Sequence, residues 1–187
     1  MSGDAHLPHS IAPADRTVPR MLRLQAGRYS HQRLFSCGDV AFGFSEASDV
    51  AARAGGWLAA QGVERGDRVA ILSTNRAEVL TLVLGCGWIG AVAVPLNAAA
   101  KGPQVKYYIE NSGAVLLVAE AALIANIGDT DLSGGALRTV LVLPGVADGL
   151  PAHVGGVPAT LYDGHGDAIE ATDAGPGDTL AILYTSG

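Results

Sequence analysis

A mainly parallel β-sheet with helices on both faces is the fold that this sequence predicts. Three observations lead there. Continuous apolar runs, "RVAILS", "AVAVPL", "AVLLVA" and "RTVLVL", recur along the chain. Amphipathic or apolar helical patterns separate them. Glycine is abundant, at 25 of 187 residues, which suits many tight strand–helix connections. Strands apolar on both sides, alternating with helices, belong to parallel sheets covered on both faces.

The elements follow in order. Residues 1–30 read as a polar arm, and the sheet domain as 31–187. Residues 42–44 are a short apolar run read as a strand, and Ser45 is placed to cap the next helix. Val50, Ala54, Trp57, Leu58 and Gln61 fall on one helical face. Gly55 and Gly56 inside it weaken the helix and imply close packing. Gly62 suits the residue after the helix, and "RVAILS" is a strand. Asn75 with Glu78 three residues on fits a capping box. The helix of residues 76–89 is apolar almost all round and should be buried. "AVAVPL" is the next strand. Gly102-Pro103 open a helix whose inward face is Val105, Tyr108 and Ile109, and Gly113 ends it. "AVLLVA" is a strand, 121–127 a short helix and "RTVLVL" a strand. Trp57, Leu58, Val83 and Ile109 are expected in the core.

The rhythm then fails. Residues 144–177 are rich in Gly, Pro, Asp and Ala, long for a loop inside a compact domain. They read as an irregular loop or a short hairpin with a strand near "ATLYD". The chain resumes with "DTLAILYTSG", read as a buried strand, 179–184, running into a small-residue turn of Thr185, Ser186 and Gly187.

Composition excludes several classes of function. The net charge is −6 with no basic cluster, so nucleic acid is not a partner. Two cysteines, Cys37 and Cys86, are too few for a disulfide framework and fit free thiols in a reducing cytoplasm. The start has no apolar stretch of a secretory signal. Residues 79–100 carry no charge and have the length of a membrane span. Gly85, Gly87, Gly90 and Pro95 argue instead for a buried helix, a glycine turn and a strand.

Few residues suggest chemistry. Asp163, His165 and Asp167 alternate and could face one side as metal ligands, but Gly164 and Gly166 favour a solvated turn, so no metal site is assigned. Arg65 and Asp67 flank a turn and should face water. No Ser/His/Asp or Cys/His set has a recognisable local context, and no G-x-G-x-x-G follows a strand. The remaining candidate is "YTSG", whose hydroxyls and N–H groups after a strand could meet a phosphate.

The order of segments resembles the adenylate-forming superfamily of acyl- and aryl-CoA synthetases, luciferases and peptide-synthetase adenylation domains. "GVERGDRVAILSTNRAEVLTLVLGCGWIGAVAVPLN", "KGPQVKYYIENSGAVLLVAE" and "DTLAILYTSG" carry the resemblance. The match runs from about Phe42 to Leu143 and resumes at Asp178. "KGPQVKYYIENSGA" looks most like CoA ligases of the carnitine/crotonobetaine and fatty-acyl type.

The resemblance implies that the chain is the first part of the large N-terminal domain of an acyl-CoA synthetase-like fold, about the first third of a typical member. Thr185, Ser186 and Gly187 would open the loop that holds the β- and γ-phosphates of ATP. The loop lysine, the Mg2+ ligand, the ribose-binding Asp and the mobile C-terminal domain with its catalytic lysine would lie beyond the chain. The complete enzyme would use ATP, Mg2+, CoA and a small-molecule carboxylic acid. It would form an acyl-adenylate and pyrophosphate, then a thioester and AMP. The isolated chain is expected to contain no catalytic residue, to bind no cofactor tightly, to be inactive and to self-associate. Two other readings stay open: a non-catalytic truncated binding or dimerisation module, and a different α/β nucleotide-binding protein sharing only the strand–helix rhythm.

Overall fold

A computed structural model describes residues 11–145, 150–172 and 174–185. A hairpin of β1 (Arg33–Cys37) and β2 (Val40–Gly43) stands apart from the main sheet. The main sheet holds β3 (Arg68–Leu72), β4 (Val92–Leu96), β5 (Leu116–Glu120), β6 (Thr139–Leu143), β7 (His153–Val154) and β8 (Val157–Leu161). Their spatial order is β4-β3-β5-β6-β8-β7. All pairings are parallel except β7 with β8. The expected mainly parallel sheet is therefore present, with an antiparallel hairpin at one edge.

Strand alternation divides the core in two. Ala70, Leu72, Val94, Leu117 and Val140 face α4 (Gly102–Ser112), which contributes Val105, Tyr108 and Ile109. Val69, Ile71, Ala93, Val118 and Leu141 face α2 (Ala47–Ala60) and α3 (Ala77–Ile89). Side chains two apart along a strand share a face, which is why every central strand can be apolar throughout.

Helices α2 and α3 meet through glycine. A Cβ on Gly85 would lie 2.8 Å from the Cβ of Ala54, and one on Gly55 would lie 2.9 Å from Cγ2 of Ile89. Trp57, Leu58 and Ile109 are buried as expected, while Val83 is half-buried against the α2/α3 core. The buried face of α2 is Ala51, Ala52, Gly55, Gly56, Trp57 and Leu58, so Val50, Ala54 and Gln61 lie at its margin. Helix α3 is fully buried only at Leu82 and from Gly85 to Ile89. Its first turns are half-exposed. Gly90, with φ +72°, ends α3 and turns the chain into β4, so 79–100 is not one helix. Among the described residues no helix is long and apolar enough to cross a membrane.

Several local expectations are corrected. Ser45 does not cap α2, which starts one residue later after Glu46. Asn75 and Glu78 form no capping box. Arg76 holds the cap position of α3 without a side-chain cap bond, because Glu78 is taken by the Arg76 guanidinium at 2.6 Å. Within the supposed polar arm, α1 (Val18–Tyr29) forms and packs on α2 and α3. Val18 is in contact range of Gly87, and the Arg23 guanidinium lies 5.2 Å from the Trp88 ring. The irregular stretch 144–177 does contain a short hairpin, β7–β8.

After β8 the chain crosses the outer side of α2 and α3 as a strap. Two tryptophans hold it. Trp57 Nε1 donates to Asp163 Oδ1 at 2.6 Å and Trp88 Nε1 donates to the Ile169 carbonyl at 2.8 Å. Gly56 and Gly166 face the opposing backbone, of Asp167 and of Arg53 and Trp57 respectively, so closely that neither could carry a Cβ without movement. Gly166, read from the sequence as part of a solvated turn, is instead a point of close backbone approach, and Gly56 is close-packed as expected. The strap carries the chain from β8, next to the β7 edge of the sheet, to the β4 edge.

Candidate functional site

At the β4 edge the strap delivers residues 178–185 parallel to β4. Ala93 N–H donates to the Leu180 carbonyl at 3.0 Å, and Ile182 N–H donates to the Ala93 carbonyl at 2.9 Å. One bridge, Ala93 to Ala181, is the whole of the ladder. Residues 179–184, expected as a buried strand, are instead an outer segment with Leu180 42% and Leu183 70% exposed, since no described element covers their outer side. Ile182 and Tyr184 turn inward against the α4 face of the core, and the Leu180 side chain lies beside Gly87 of α3.

The ends of this segment are tied to the domain. Asp178 accepts from Arg65 at 2.7 Å and from the Gly175 N–H at 3.1 Å, which hold its carboxyl below the usual range. Arg65 thus pairs across the fold rather than simply facing water, and Asp67 likewise meets Arg138 at 3.3 Å. At the other end the Tyr184 ring stacks on Tyr108 with centroids 4.3 Å apart, and its hydroxyl donates to Asn111 Oδ1 at 2.8 Å. Thr185 follows directly and is exposed. Ser186 and Gly187 lie outside the described residues.

Because the segment runs parallel to β4, Thr185 emerges at the carboxyl ends of the strands. That is the side on which open α/β sheets take ligands. The same side carries a polar cluster that sequence reasoning missed. Glu120, the last residue of β5, accepts from the Thr74 N–H at 2.9 Å and from the hydroxyls of Thr74 at 2.8 Å and Ser73 at 3.3 Å. Arg76 lies 3.9 Å from the same carboxylate and donates to the Pro144 carbonyl at 3.2 Å. Burial pushes the Glu120 carboxyl up, but the Thr74 and Ser73 donors and Arg76 outweigh it and hold it below the ordinary value. Glu78 is held low chiefly by the Arg76 hydrogen bond. The cluster joins the ends of β3, β5 and β6. Its one sequence signal is polar residues directly after apolar strands, and it becomes a group only once strand order is known.

The alternating acidic and histidine residues of 163–167 form no metal site. Asp163 is engaged by Trp57 and by the His165 N–H at 3.3 Å. No group of three or more His, Cys, Asp or Glu among the described residues could hold a metal ion. Cys37 and Cys86 are free thiols, and burial pushes Cys86 up to about 12.

The sequence profile of the family described as "AMP-binding enzyme" matches residues 22–187, nearly the whole chain. This chain belongs to the AMP-binding enzyme family. Members similar to it in sequence include long-chain-fatty-acid–CoA ligase FadD13 of Mycobacterium tuberculosis, 32% identical over 150 residues, which cover 80% of this chain and 28% of that protein. Feruloyl-CoA synthase of Amycolatopsis sp is 31% identical over 153 residues, covering 80% of this chain and 27% of that protein.

Solved structures agree on the AMP-binding fold. The anthranilate CoA ligase AuaEII in complex with anthranoyl-AMP superposes with a TM-score of 0.77 at 22% identity, over 96% of this chain and 34% of that one. The N-terminal domain of FACL13 from Mycobacterium tuberculosis superposes with a TM-score of 0.68 at 27% identity, over 91% of this chain and 42% of that one. This family member therefore spans little more than a quarter of the length of the relatives it matches in sequence. The family match begins inside α1, within the stretch expected to be a polar arm.

Proposed function

We propose that this chain is the N-terminal portion of an ATP-dependent acyl-CoA ligase, and that Thr185, Ser186 and Gly187 open its ATP phosphate loop. The observation that carries the reading is the course of residues 178–185. They run parallel to β4 and bring Thr185 to the carboxyl ends of the sheet, where backbone N–H groups and hydroxyls can meet an anion. The whole reaction joins a carboxylate oxygen to the α-phosphorus of ATP as pyrophosphate leaves. The thiolate of CoA then attacks the acyl carbon and AMP leaves. Relatives named for long-chain fatty acids and for ferulate support a carboxylic acid as the substrate class.

The isolated chain is inactive in this reading. Adenylation rests on positioning and on charge stabilisation around the phosphates. In this reading the chain's share is to hold the start of the loop. Free thiols support a cytoplasmic setting. Pyrophosphate release from Mg·ATP with a panel of fatty and aromatic acids tests the proposal. The expected result is none, with no saturable micromolar affinity for Mg·ATP by calorimetry. Acid-dependent exchange of pyrophosphate into ATP would overturn it. Coding DNA that continues in frame as T-T-G-x-P-K-G supports the ligase reading.

A second reading, a non-catalytic module that dimerises, is favoured by the exposed Leu180 and Leu183 on the edge segment. A stop codon directly after Gly187 would support it.

A further inference from the structure

Backbone hydrogen bonding places the even-numbered residues of β4 toward β3, as the Val92 N–H donating to the Asp67 carbonyl at 2.8 Å shows. The odd-numbered residues therefore point their main chain at segment 178–185. Ala93 makes both of its bonds there. The next position in line is Pro95, which has no N–H to offer the Ile182 carbonyl. The ladder loses its next bond three residues before the candidate phosphate turn, so pairing with β4 alone does not fix where Thr185 sits.

Two side-chain ties flank the bridge. Arg65 with Asp178 is the weaker, because both side chains are about half exposed and salt screens such a pair. The tie at Tyr184 is the stronger. Its ring stacks on Tyr108, which is buried on α4, and its hydroxyl is 2.8 Å from Asn111 Oδ1, one turn further along the same helix, and 3.3 Å from the Tyr108 carbonyl.

We infer that Tyr184, latched to Tyr108 and Asn111 of α4, is the positioning residue of Thr185, replacing the ladder bond that Pro95 cannot make. The role as a nucleotide-turn support rests on the reading proposed above; the latch itself does not. Helix α4 thereby gains a task beyond covering the sheet. It sets the starting point of the turn through a contact adjacent to Thr185. The loss of a donor at Pro95 also leaves the segment free to be placed by this latch rather than by β pairing.

Amide hydrogen exchange of the chain, read by NMR without nucleotide, tests the latch. Loss of the latch should speed exchange at the Ile182 amide, which donates to the Ala93 carbonyl, by roughly fivefold in Tyr184→Phe and by less in Asn111→Ala, where the hydroxyl keeps the Tyr108 carbonyl at 3.3 Å. Exchange at Ile109 and Val118 should not change, which separates the latch from general destabilisation. Pro95→Ala restores a donor facing Ile182, so Asn111→Ala should cost less protection in that background. Added salt should not mimic Asn111→Ala, because the screened pair is at the other end. Unchanged exchange at Ile182 in both single variants overturns the inference, as does an equal loss with and without Pro95→Ala. Failure of the nucleotide reading shows separately, as in-frame coding DNA that does not continue the phosphate loop while the latch variants still behave as stated.

Discussion

The indole Nε1 of Trp57 donates a 2.6 Å hydrogen bond to Oδ1 of Asp163, tying α2 to the strap that leads from β8 to the β4 edge. The acceptor is a carboxylate held below its ordinary range, first by that indole and then by the His165 N–H. A depressed folded pKa contributes stability that is fully present above the unfolded value of about 4 and is lost as pH falls through the folded one. Acidification below the ordinary Asp range should therefore loosen the strap. Trp57 emission should shift to the red there, and Asp163→Asn should flatten that shift. A full-sized acid shift in Asp163→Asn would show that the strap is held by something else.

The contact of α2 with α3 depends on missing side chains. Gly85→Ala should destabilise the chain by about 1–3 kcal/mol in urea denaturation, since its Cβ would meet the Cβ and backbone of Ala54. Gly27 lies in α1, and a methyl group there would have nothing within 4 Å, so Gly27→Ala should instead add up to about 1 kcal/mol of helix stability. The two changes are chemically identical, and opposite signs are the outcome to look for.

Thiol labelling should separate the cysteines. Cys37 is half-exposed, while Cys86 is fully buried in α3 with its thiol pushed up to about 12. One thiol should react in the native chain and the second only on unfolding. Two fast-reacting thiols under native conditions would contradict the packing of α3.

Self-association should run through the edge segment. Leu183 is 70% exposed beside backbone groups that face away from β4. Light scattering should show dimers or larger species, and Leu183→Lys should shift the chain toward monomer. A monomer in the unchanged chain would remove the support for the dimerising module.

Much of this molecule is legible from residue order alone. Strands β3, β4, β5 and β6 fall on continuous apolar runs, as expected of strands buried on both faces. Helix α4 is readable from Gly102-Pro103 at its start and Gly113 at its end. The resemblance to the family, ending at "YTSG", is readable too, because the segments that carry it stand in order along the chain. Helix α1 is not, since its stability comes from packing on α3 and Trp88 rather than from its own polar sequence. Asn75 and Glu78 mislead because Arg76, between them, competes for the carboxylate.

The sequence by itself determined the parallel sheet and the helices on both of its faces, and the order of its motif segments carried the resemblance to the family. Periodicity and turn residues act over a few neighbours, and the sheet and its covering helices need nothing more. Only the tertiary structure decided which strand ends meet. It put Glu120 beside Thr74, laid the glycine strap on two tryptophans and left 179–184 at an edge. It also turned Pro95 toward Ile182 and brought Tyr184 onto α4, contacts that depend on strand order and on which way each backbone group points.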